Sequence, residues 1–177
     1  MKYSKILFLI IFLFFHPELF SNEVKNRFTQ NPLPIQAKFC LKYHNCIYLE
    51  VARSKVEQSQ GLMYRHQLKE NNGMLFLLDK PRKINIWMYN TLIPLDIIFI
   101  KNKRIVKLIS NAIPCSSQNC KNYNSNFVVD SVIELNAGKI KSLNLEEGDL
   151  IEVIKITDNS KDFNSSSSSE SNRTLTH

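Results

Sequence analysis

Glycine is scarce, with four residues in 177. That scarcity leaves no Gly-rich loop to cradle a phosphate or a dinucleotide. No Gly-x-Ser-x-Gly elbow presents a serine nucleophile. The four histidines, His16, His44, His66 and His177, are dispersed and suggest neither a metal site nor a catalytic triad. No internal period of 20 to 50 residues repeats, which argues against a solenoid or propeller. The longest uninterrupted apolar run, residues 6–15, has ten residues, whereas a membrane-spanning helix needs about 20. A concentrated positive charge is also missing. The net charge of +7 is scattered, and its densest stretch, Lys101-Asn102-Lys103-Arg104, separates two apolar runs like a polar turn. Without a basic stripe and interleaved aromatics, no nucleic-acid partner is expected. Weak attraction to anionic envelope surfaces is the simpler meaning of the charge.

The ends of the chain carry clear signals. Lys2 and Lys5 precede the apolar run, and Pro17 and Ser21 follow it, the layout of a secretory signal peptide over residues 1–21. Leu19 stands where a smaller residue is preferred before cleavage, so a retained membrane tether is the alternative. Residues 22–32 read as a linker. Residues 159–177 hold five consecutive serines and little that is apolar, too little to offset ordering entropy, and read as a disordered tail. The folded domain is expected over residues 33–158, in the periplasm or secreted.

Four cysteines, Cys40, Cys46, Cys115 and Cys120, occur at short spacings. An even count in an exported chain suggests disulfides, and local pairs, Cys40 with Cys46 and Cys115 with Cys120, fit best. A four-Cys zinc site, with His44 as a further ligand, is the rival, but the spacings are wide for zinc. Met63, Met74 and Met88 would suit Cu(I), yet single methionines in apolar runs are usually core fillers. No metal or cofactor is expected.

The pattern between the ends predicts about eight strands and one clear helix. Strands are expected at 37–41, 46–52, 74–78, 84–88, 95–100, 104–109, 127–135 and 150–156. Ser54-Lys55-Val56-Glu57 is a capping box opening a helix from Lys55 to about Arg65. Asn71-Asn72-Gly73 reads as a turn, residues 79–83 and 111–126 as loops, and residues 139–143 as a short helical turn. Short strands joined by tight turns suggest a mostly β, single compact domain, barrel-like or sandwich-like.

Polar residues embedded in apolar stretches are the candidate site: Arg65, Trp87, Asn90, Thr91, Asp96, Tyr123 and Glu134. Each must find a partner or a ligand. Arg65 could grip a carboxylate or sugar hydroxyls, with Trp87 as a stacking face. Asp96 and Glu134 could accept hydrogen bonds or act as an acid/base pair. The plainer alternative is that Arg65 forks onto one of these carboxylates, with the others satisfying turn backbone.

These residues sit in a recognisable order. Gly61-Leu62-Met63-Tyr64-Arg65, Gly73-Met74-Leu75-Phe76, Trp87-Met88-Tyr89-Asn90-Thr91 and Pro94-Leu95-Asp96-Ile97-Ile98-Phe99-Ile100 are followed by Ala112-Ile113-Pro114-Cys115, Cys120, Tyr123 and Val132-Ile133-Glu134-Leu135-Asn136-Ala137-Gly138. Together, over residues 47–154, they resemble the family called domain of unknown function 192. Tyr89 replaces a common Lys and Asn136 a common Pro, and Lys101-Asn102-Lys103 lacks the usual acidic-Gly turn. The resemblance implies a small exported or envelope-associated domain with a compact, mostly β, partly barrel-like fold, and it implies no biochemistry. The combined reading is an extracytoplasmic binding or accessory domain with a small polar cleft for a small molecule or envelope component. The alternative is a hydrolase acting on envelope glycans or peptides through Asp96 and Glu134.

Overall fold

The computed structural model describes residues 32–41, 45–117 and 119–156. Contact density divides the chain into residues 1–32 and 33–177, and the fold below belongs to the second unit. The expected leader, the linker up to residue 31 and the Ser-rich tail lie outside the described residues.

The described chain is mostly β: nine strands and two short helices. The strands are β1 (Ile35–Cys40), β2 (Cys46–Ala52), β3 (Asn72–Arg82), β4 (Asn85–Trp87), β5 (Leu95–Lys101), β6 (Arg104–Ala112), β7 (Asn122–Asn124), β8 (Val129–Asn136) and β9 (Ile154–Lys155); the helices are α1 (Lys55–Gln60) and α2 (Lys139–Ser142). Seven strands form one sheet in the order β6-β5-β8-β3-β2-β1-β9, and β4 pairs with β7 in a separate ribbon. Only the β2–β3 neighbours run parallel; α1 lies in their crossover, as a parallel connection requires.

The sheet is not closed, which corrects the barrel expectation. Instead, one C-terminal segment runs beside the start of the edge strand β6 and then supplies the other edge strand, β9. The Ile151 N–H donates to Lys103 O and the Ile105 N–H to Asp149 O beside β6, while β9 pairs with β1. Three residues separate Leu150, bridged to Arg104, from Ile154. An extended chain spans at most about 3.6 Å per residue, so the two edges are drawn close and the sheet curls. The same crossing explains why the expected strand at 150–156 shortens to two residues: the segment leaves one edge for the other.

Each face of the sheet carries a core. Phe39, Leu49, Leu75, Ile98, Ile133 and Leu135 fill the inner face, with Ile140 of α2 and Leu145 plugging one end. Met74, Phe76, Ile97, Phe99 and Val132 line the outer face, which Leu62, Met88 and Tyr123 cover. Central strands buried on both sides account for continuous runs such as Leu95–Ile100.

Local chemistry sets the boundaries. The capping box forms: Ser54 Oγ accepts from the Glu57 N–H, and Glu57 Oε2 accepts from the Ser54 and Arg53 N–H groups. Those donors, Ser54 first, hold the Glu57 carboxyl below its usual value. The helix stops at Gln60 and does not reach Arg65, because Gly61 turns to φ 47° with Phe76 close beneath it. Gly73 is not a turn residue. It lies inside β3, where a Cβ would sit 2.5 Å from a Leu135 methyl and 2.7 Å from the Glu134 carbonyl oxygen. Pro81 does not end β3, which continues to Arg82 across an irregularity in its pairing with β8. Within the expected loop at 111–126, β7 pairs with β4. The cysteines pair locally, Cys40–Cys46 and Cys115–Cys120, which displaces the zinc alternative.

Candidate polar cavity

Strand alternation and sheet order decide which candidates meet. In register, Glu50 of β2, Met74 of β3, Glu134 of β8 and Ile97 of β5 form one row across the outer face. Neighbouring strands are about 4.8 Å apart, so the backbones of Glu50 and Glu134 are about 10 Å apart with Met74 between them. Asp96 is opposite Leu135 and therefore points to the inner face. The expected Asp96–Glu134 acid/base pair is thus split across the sheet, and the hydrolase reading fails with it.

Asp96 has a structural task. It is fully buried, and its carboxylate accepts from the Asn111 N–H at 2.9 Å and the Ile140 N–H at 2.7 Å. The second bond ties the first turn of α2, and hence the plug of the inner core, to β5. Charge-assisted bonds of this kind are stronger than neutral ones.

Arg65 forms an ion pair, but with neither Asp96 nor Glu134. Its guanidinium forks onto Glu50, with Nη2 2.7 Å from Oε2, and the same oxygen accepts the Leu33 N–H at 2.7 Å. Both side chains are almost wholly buried. Glu50 was missed by sequence reading because Tyr48, Glu50 and Ala52 pass for a solvated face. Only Tyr48 of the three is exposed.

The outer face is roofed by two loops. Residues 61–65 follow α1, and residues 88–91 turn back after β4. They are joined by the Tyr64 N–H donating to Asn90 O at 2.7 Å and Asn90 Nδ2 donating to the Tyr64 hydroxyl at 2.6 Å. Asn90 holds φ 55°, a left-handed conformation that Asn tolerates better than most residues. The disulfide loop clamps this turn: the Asn90 N–H donates to Cys115 O, and the Cys115 N–H donates to Met88 O. Tyr123 sits behind it, its hydroxyl accepting from the Ile113 N–H. Asn90 and Tyr123 therefore shape the roof.

Beside this roof lies a cavity of about 510 Å³, bounded by α1 and the following turn, by β3, and by β4. Of the seven expected residues, Trp87, Thr91 and Glu134 line it, while Arg65, Asn90, Asp96 and Tyr123 do not. Trp87 is 50 % exposed at its edge and packs obliquely on Tyr89. Gln58, Lys55, Arg82 and Lys83 also contribute to the walls; none was legible as a site residue, since each sits in an ordinary surface stretch. Gln58 is fixed by donating to Leu77 O at 2.6 Å.

Glu134 is the unusual member. It stands in mid-sheet, and among the described residues its carboxyl makes no hydrogen bond or ion pair; no fully buried side-chain oxygen there lacks a partner, so this carboxyl reaches the cavity. Desolvation raises its pKa from 4.5 to about 8, so at neutral pH it is mostly a carboxylic acid, able to donate and accept.

Among the solved structures, a protein from Sinorhizobium meliloti 1021, provisionally described as a transcription regulator, is 34 % identical. The match covers 67 % of this chain and 92 % of that one, with a TM-score of 0.60. A protein of unknown function from Novosphingobium aromaticivorans DSM 12444 is 31 % identical over 70 % of this chain and 89 % of its own, with a TM-score of 0.62. No curated protein matches. The model of the family DUF192, described as "Uncharacterized ACR", matches residues 39–153, more than half of the sequence, and the chain belongs to that family.

Proposed function

We propose that this domain is a non-enzymatic binding or accessory protein that works outside the cytoplasm, in the periplasm or after secretion, and takes a small polar molecule in the cavity at Glu134. The observation that carries this reading is Glu134 itself. A largely desolvated carboxyl that meets no protein partner and opens only to the cavity is costly, and a ligand that hydrogen-bonds to it lowers that cost. Its neutral form suits hydroxyl or amide groups. Trp87 offers an aromatic face at the cavity edge, and the cations Lys55, Arg82 and Lys83 disfavour a cationic occupant. The reading of location is supported by two disulfides, which persist in oxidising compartments, together with the leader pattern in the sequence. No helix among the described residues is long and apolar enough to cross a membrane. The transcription-regulator description of the Sinorhizobium neighbour is not extended to this chain. Its described helices, of six and four residues, are short for reading a major groove.

The test is a thermal-shift screen of neutral polyhydroxylated and amide compounds against the full chain. Binders should stabilise the wild type and Glu134→Gln, which mimics the protonated acid, but not Glu134→Leu. Their affinity should fall as pH rises through about 8. Hits that bind Glu134→Leu equally well, or a library without hits, would refute the assignment.

A further inference from the structure

A second cavity, of about 440 Å³, opens on the other face of the sheet. Its origin is the unequal filling of the curled interior. At one end Ile140 and Leu145 plug the inner core, held by Asp96. At the opposite end no element plays that part among the described residues, and the strand ends enclose a hollow. Its walls are apolar: Val51, Leu75, Leu77, Ile100, Ile151 and Val153.

The rim is charged, and its charges are not equivalent. Asp130 is engaged, accepting from the Asn102 N–H at 2.6 Å and from the Ser131 hydroxyl at 2.8 Å. Lys103 is paired with Glu152 at 2.9 Å. Arg53 and Lys155 also line the hollow; neither cation is in a salt bridge among the described residues, and Arg53 lies within electrostatic reach of the Glu57 carboxyl. An apolar hollow with two cations at its mouth, neither held in a salt bridge, complements a molecule with an apolar body and one anionic head. Volumes of this size are ordinary for small-molecule pockets.

We propose that this hollow binds a medium-chain acyl carboxylate, with the chain against Leu75, Ile100 and Ile151 and the head group between Arg53 and Lys155. The site is separate from the Glu134 cavity and does not depend on its assignment. Affinity should rise with chain length, since each methylene buried adds about 0.8 kcal/mol in transfer, or about fourfold.

The experiment is a titration of the full chain with hexanoate, octanoate and decanoate below their micellar concentrations, followed through methyl NMR shifts. Decanol and decylamine serve as neutral and cationic controls. The methyl groups of Leu75, Ile100 and Ile151 should shift, with decanoate tightest and decylamine weakest. Arg53→Glu and Lys155→Glu, both at exposed positions, should each weaken decanoate at least tenfold while leaving decanol unchanged. Trp87, the single tryptophan, reports on the other cavity and should not respond. Silent pocket methyls, equal binding of decylamine, or a response confined to Trp87 would each overturn the proposal.

Discussion

Glu134 should make the domain less stable as pH rises, and replacing it should reverse that trend. Burial raises its pKa from 4.5 to about 8 in the folded chain, whereas in the unfolded chain the carboxyl titrates near its ordinary value. Below about pH 4 both states hold the proton and the group costs nothing. Between about 4.5 and 8 the unfolded state has released its proton and the folded state keeps it, so the folded state binds more protons and stability falls with pH. Above about 8 the carboxylate is buried and the loss is complete. At about 1.4 kcal/mol per pH unit, the full loss is about 5 kcal/mol, a ceiling that water in the adjoining cavity lowers. Glu134→Gln keeps the shape and carries no proton linkage. Urea unfolding of the two proteins at pH 4, 6 and 8.5 should therefore show nearly equal stabilities at pH 4, and the variant ahead by several kcal/mol at pH 8.5. All other titrations cancel in the difference. A difference that stays flat across this range, or one that moves against the variant as pH rises, would refute the reasoning; the second result would mean that the ionised carboxylate has a cationic partner.

Other perturbations test the remaining parts of the frame. Arg65→Ala should cost about 3–5 kcal/mol, because it strands the buried Glu50 carboxylate; its unfolding midpoint in urea measures this. Asp96→Ala should cost about 3 kcal/mol, since two buried N–H groups lose a charged acceptor, and hydrogen exchange should accelerate at Ile140 and Asn111. Gly73→Ala should destabilise by at least about 2 kcal/mol through overpacking against Leu135 and the Glu134 carbonyl, with the shift in melting temperature as readout. Removing the Cys115–Cys120 bridge by double Cys→Ala substitution should cost about 2 kcal/mol by loop entropy. Exchange at Asn90 and Cys115 should also speed up, because that loop clamps the roof of the cavity.

Much of the fold was legible because it rests on local signals. The capping box fixed the start of α1, the apolar runs marked β3, β5 and β8, and the cysteine spacings led to both disulfides. The site was legible only in part, for a reason that lies in the sheet order. Asp96 and Glu134 look alike in sequence, each an acid in an apolar strand. Whether two such residues share a face depends on the register between strands 38 residues apart, and the pairing of Asp96 with Leu135 puts them on opposite sides. One became the tie for α2, the other the wall of a cavity. Glu50 shows the converse. Glu50 alternates with apolar neighbours along β2 and was not among the expected residues, yet it is buried on the outer face with Arg65 above it, so its acid needs a partner. The Glu50–Met74–Glu134 row then explains why one carboxylate is paired and the other is not. Arg65 is committed to Glu50 by a two-toothed contact, and about 10 Å of sheet separates the backbones of the two acids. The cation that sequence reading assigned to the cleft is thereby spent on the frame. What remains for a ligand is a carboxyl that burial keeps protonated, beside an aromatic edge and the cations Lys55, Arg82 and Lys83, which is why uncharged polar molecules, and not anions gripped by Arg65, are the compounds to screen there.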